Sequence, residues 1–268
     1  MLSSGTPPES VPAVPATRQR RTMPAVGVRG RACTGPTTGR TGPPHLAHPS
    51  TECDPGRLRT HAQLLQLGNQ ISVVGAALIV ASQLLAAFLP SDAAALATTA
   101  TSAPFLVSAL LKLVGFLFLM LGLVTLYAHQ AVAAGRLGLV GFATAFAGTL
   151  LVTGDWWFEA FAVPWLAQTA PGLFAMPAGS TRLLGGAISF TTFSAGWVVF
   201  GAATLRARVF PRWVATLLMA GAVLAYGQGH PPLGAPLAIA VGIMGIVALR
   251  LDQSRCASPP AINPPESR

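Results

Sequence analysis

From Leu64 onward the apolar positions of this chain sort into long runs, separated by short polar breaks rich in proline. A hydrocarbon layer of ~30 Å needs roughly 20 helical residues to cross it. Runs of about that length fall at 64–89, 104–127, 138–163, 183–204, 213–229 and 233–250, and we read them as six transmembrane helices. Helices are the spanning form because lipid offers the backbone no hydrogen-bond partners, and the alternation that barrel strands require is missing. Pro90, Pro104, Pro164, Pro171, Pro177, Pro211, Pro231 and Pro232 fall at or just past run ends, where a missing backbone N–H costs least. Only His230, Pro231 and Pro232 separate the last two short runs, which leaves open a tight helical hairpin or a re-entrant segment. The predicted fold class is all-α: a polytopic transmembrane helix bundle over 60–252.

The first 59 residues show no such pattern. They hold ten Pro and eight Arg among many Gly, Ser and Thr, with too little apolar surface to offset the entropy of folding. We expect a disordered Pro/Arg-rich cytoplasmic tail over 1–59 and a short disordered tail over 253–268. No apolar core follows Arg18, Arg20 and Arg21, so the tail does not read as a signal peptide, and Met23 offers an alternative translation start.

Composition agrees with the runs: 52% of residues are hydrophobic and only 9% charged, where soluble chains carry roughly 25%. The formal charge of +9 would suit a nucleic-acid binder if it were clustered, but it is divided between the tail, at +5, and helix ends further on, at +4. Those ends set the orientation. With the N-terminus inside, the inner flanks hold Arg57, Arg59, Arg136, Arg206, Arg208, Arg212, Arg250 and Arg255, and the outer flanks only Arg182. Both termini are predicted cytoplasmic, in a multi-pass protein of the cell membrane. The expected partners are the lipid bilayer and either a helix-packing protein or a second copy of the chain, with no specific nucleic acid. Cys33, Cys53 and Cys256 lie outside the runs without CxxC spacing, which predicts free thiols.

Candidate chemistry is confined to four ionisable residues in or at the edge of the outer half of the bundle: Lys112, Asp155, Glu159 and Arg182. A charge at the bilayer centre costs about 2.5 to 3.5 kcal/mol on insertion scales, so such residues face protein or water. Helical steps from Gly138 place Gly141, Ala145, Gly148, Val152, Asp155, Glu159 and Ala162 on one face of small residues, the kind that lets membrane helices approach closely. Lys112 shares a face with Ser108, Gly115, Leu119 and Gly122, and Arg182 one with Gly185, Ser189, Thr192, Gly196 and Ala203. At ~1.5 Å per residue, Lys112 is about 12 Å in from Pro104 and Asp155 about 13 Å in from Pro164. The matching depths predict a neutral cluster in which Lys112 pairs with Asp155 and Arg182 with Glu159. Trp156, Trp157 and Trp165 read as the outer aromatic belt.

Recognised enzyme motifs are missing: there is no HExxH, GxSxG, P-loop or dinucleotide fingerprint, and Asp155 has no second intramembrane Asp for an aspartyl dyad. The sequence leans away from an enzyme, and no catalytic residue, cofactor or metal is assigned. His45, His48 and Cys53 form no closed ligand set in a Pro-rich tail, and His129 and His230 belong to opposite ends of the bundle.

The stretches "GDWWFEAFAVPWLA" and "LRARVFPRWVATLLMAGAV" resemble an uncharacterised family of multi-pass membrane proteins from high-GC bacteria, over about residues 62 to 250. That resemblance implies a bundle of about six helices and carries over no activity, cofactor or site residue. The functional expectation is an integral membrane protein with a structural, accessory or sensory role. The alternative is a small transporter or ion-coupled carrier using Asp155 and Glu159. A lipid-acting enzyme would require Glu159 beside Arg182 in an outer cavity.

Overall fold

The computed structural model describes residues 55–90, 95–176 and 179–257. Among these the chain is helical, with no strand. The main elements are α1 (Pro55–Ala86), a short α2 (Leu96–Ala100), α3 (Ala103–Trp157), a π-helical segment (Phe158–Ala162), α4 (Val163–Thr169), α5 (Ser180–Ala207), α6 (Arg212–Leu224) and α7 (Ala235–Ala257).

Among the described residues four stretches are long and apolar enough to cross a membrane: Gln63–Ala86, Ala103–Thr169, Ser180–Ala207 and Ala235–Ser254. The second is 67 residues long, far more than one crossing uses. It folds back on itself at Gly135, whose φ of 58° and ψ of −146° are not helical. Residues on either side meet in pairs nearly symmetric about that glycine: Tyr127 stacks on Phe142, Phe116 meets Trp156, and Lys112 reaches Glu159. α3 is thus an antiparallel hairpin of two arms. A side chain at this φ and ψ is strained, and glycine, lacking Cβ, adopts the conformation freely.

Ser102 starts the hairpin by accepting a hydrogen bond from the Phe105 N–H at 3.4 Å, with Pro104 in the first turn, where its missing N–H is harmless. The first arm packs on α1, the second on α5, and α7 returns against α1 and α6. Small residues make the close approach. A β-carbon at Gly196 would collide with the backbone of Ala145, and one at Gly148 with that of Phe193. The predicted small faces are buried along the first arm (Ser108, Lys112, Gly115, Leu119, Gly122) and most of the second (Gly138, Gly141, Ala145, Gly148, Val152). Between them lies an aromatic core of Phe116, Trp156, Phe193, Trp197 and Phe200. Trp197 also donates its indole N–H to Thr149 Oγ1 at 3.1 Å.

Several boundaries differ from those the apolar runs suggest. The second arm continues past Pro164, because the chain widens into a π turn at Phe158–Ala162 and α4 restarts with that proline in its first turn. A π turn relieves the clash between a proline ring and the preceding turn and tolerates its missing N–H. α1 begins at Pro55 and α7 ends at Ala257, so residues 55–59 and 253–257, expected in the tails, are helical. α6 and α7 form a hairpin in which Gly221 backs onto Leu237. The remaining tail expectations, with His45, His48, Cys33 and Cys53, lie outside the described residues.

Candidate functional site: an ion pair inside the bundle

Lys112 is the only lysine in the sequence, and it is 5% exposed. Its Nζ donates to Glu159 Oε1 at 3.2 Å and lies 3.9 Å from the centre of the Trp156 ring. The ammonium is therefore met by a carboxylate and by the electron-rich face of an indole, each of which attracts positive charge. The elements that deliver these groups are the two arms of α3, brought together by the Gly135 reversal, and the π segment that carries Glu159.

The observed pairing differs from the predicted one. Lys112 pairs with Glu159 rather than with Asp155, and Arg182 makes no ion pair with Glu159 among the described residues. Measuring depth from Pro164 gave the wrong match, because the helix does not end there. Trp156, one position beyond Asp155, fills the space facing the first arm beside Phe116, and Lys112 spans its ring to reach Glu159. Asp155 turns instead toward α5, where Ser189 is its hydroxyl neighbour. Its Oδ2 is buried with no hydrogen-bond partner. Arg182 is exposed, as are Leu183, Leu184 and Gly185, so the first turns of α5 stand clear of the contact that the face Ser189–Gly196–Ala203 makes lower down.

The aromatic belt is also revised. Trp157 and Trp165 are 56% and 61% exposed, whereas Trp156 is 4% exposed and belongs to the core. Its indole N–H is buried without an acceptor. A tryptophan's ring face meets the ammonium here, and its neighbour Trp157 faces outward.

A second polar cluster was not foreseen from the sequence. Asn69 of α1, 0% exposed, donates through Nδ2 to His129 Nε2 of the first arm and to Asp252 Oδ2 of α7, each at 3.0 Å. His129 Nε2 stands 3.7 Å from Asp252 Oδ2. Three helices far apart in sequence are tied at one point, at the opposite end of the first arm from Lys112. No local motif announces such a cluster. For the first cluster a signal did exist: a chain with 17 basic residues, all but one of them arginine, places its single lysine in an apolar run.

Among the described residues no group of three or more His, Cys, Asp or Glu could hold a metal ion. No protein-family model, curated protein or solved structure matches this chain.

Proposed function

We propose that the chain is a multi-pass protein of the cytoplasmic membrane that crosses the bilayer six times with both termini inside, and that its role is structural or accessory. Six apolar helical arms support the crossing number: α1, the two arms of α3, α5, α6 and α7, of which α6 is the shortest. Arginines at the ends expected inside support the orientation.

The observation that carries the structural role is the closed Lys112–Glu159 pair. Each charge has its partner at 3.2 Å, and the buried ammonium also rests on Trp156. Such pairs fix register between helices. The pin joins the two arms of a hairpin that is otherwise held by apolar contacts.

A carrier is the second reading, favoured by two particular features: Glu159 sits in a π turn, a distortion that recurs at functional sites, and Asp155 keeps a buried oxygen without a partner. Neutralising substitutions separate the two. On the structural role, Lys112→Met lowers the yield of folded protein in the membrane while Asp155→Asn has little effect. Normal yield of Asp155→Asn, with loss of proton or solute flux in proteoliposomes made from it, would overturn the structural role in favour of the carrier.

A further inference from the structure

Arg206, Arg208 and Arg212 line one groove together with Ala202 and Leu205, where α5 ends and α6 begins. Arg206 is in the last turn of α5, Arg208 caps it, and Arg212 is the first residue of α6. The reversal is held from below by Phe210, 3% exposed, and Val214, 0% exposed. Arg208 is the only described non-glycine residue with positive φ, at 56°. That conformation usually belongs to glycine at a helix end; here it is held by a residue whose side chain helps to line the groove.

All three arginines are exposed, and among the described residues none forms an ion pair with a carboxylate. The described acids are engaged elsewhere: Glu159 with Lys112, Asp252 with Asn69 and His129, and Asp155 beside Ser189. Three cations thus converge on a concave surface with no counter-charge from the described residues, next to an apolar wall formed by Ala202 and Leu205. Beside them Trp213 is 58% exposed, in the manner of side chains that settle at a membrane–water boundary.

We infer that this groove binds the phosphate of an acidic phospholipid headgroup, with the arginines on the phosphate and the Ala202–Leu205 wall against the start of the acyl chains. The inference rests on the membrane reading above. It adds a ligand class and a place that reading does not contain. Arginine forks suit phosphate oxygens, and basic residues at the bilayer surface attract anionic lipid.

The test uses the full chain in detergent micelles, with bound lipid counted by native mass spectrometry. Phosphatidylglycerol is expected to remain bound where phosphatidylcholine does not. Arg206→Gln, Arg208→Gln and Arg212→Gln should each weaken retention roughly five-fold, and the triple variant on the order of 100-fold. The control Arg136→Gln/Arg250→Gln, which removes two exposed arginines from other helices, should retain lipid like the wild type. Equal retention by the triple variant, or equal retention of the two lipids by the wild type, would overturn the inference. Complete displacement by excess glycerol phosphate would also overturn it, by showing that a soluble phosphate suffices without the apolar wall. Flotation of the protein with vesicles of pure phosphatidylcholine reports on the membrane reading independently of the groove.

Discussion

Removing the Lys112 ammonium should cost more than removing the pair. In Lys112→Met, Glu159 loses its partner at 3.2 Å while remaining inside the bundle, and Trp156 loses the cation at 3.9 Å. Removing one partner of a buried pair leaves an uncompensated charge, which costs about 3 to 5 kcal/mol. This bounds the penalty on the acid. Glu159 keeps 26% of its side-chain surface exposed, which lowers the figure, and the lost cation–π contact adds about 0.5 to 2 kcal/mol. We expect a loss of about 2 to 4 kcal/mol. In Glu159→Gln the stranded group is a cation on a residue that is only 5% exposed, so less of its penalty is recovered by solvent. The single losses should therefore be about equal or larger for Glu159→Gln. The double variant Lys112→Met/Glu159→Gln strands neither charge and should lie within about 1 kcal/mol of the wild type, since removing both charges of a buried pair leaves none uncompensated. Reversible unfolding of the purified protein in mixed micelles gives all three values. A double-variant loss equal to the sum of the two single losses would refute the coupling.

Three further substitutions probe separate parts of the fold. Gly135→Ala places a β-carbon where nothing lies within 4 Å, so it should cost only the backbone strain of about 1 to 3 kcal/mol, read as a lower melting temperature; an unchanged melting temperature would argue against the reversal there. Gly196→Val drives a side chain into the backbone of Ala145 and should lower folded yield sharply, with fluorescence-detected gel filtration as the readout. Asp252→Asn removes the charge that Asn69 and His129 face and should cost about 1 to 3 kcal/mol in the same unfolding assay.

The apolar runs and small-residue faces were legible because they follow from helical periodicity alone: Gly141, Gly148 and Gly196 are buried at helix contacts, as their spacing implies. Partner identity was not legible to the same degree. Lys112, Asp155 and Glu159 were found as a set, but which carboxylate meets the amine depends on Trp156 filling the intervening space and on the π turn before Pro164, neither of which a 3.6-residue period encodes. Trp156 and Trp157 are adjacent in sequence and opposite in environment, which a rule that assigns every tryptophan to the interface cannot resolve. The Asn69–His129–Asp252 cluster escaped altogether, because its members come from three helices separated by 60 and 183 positions.

Because Lys112 is the only lysine, one label reaches the centre of the account. Protein carrying 15N at the lysine amine and 13C at the glutamate carboxyl, reconstituted in lipid, has a single 15Nζ resonance whose dipolar dephasing reports the nearest glutamate. The account predicts strong dephasing, consistent with the 3.2 Å Nζ–Oε1 contact, and its loss in Glu159→Gln prepared without label on glutamine. Absence of dephasing in the wild type, with the amine more than about 6 Å from any glutamate, would contradict the ion pair as the pin of the bundle.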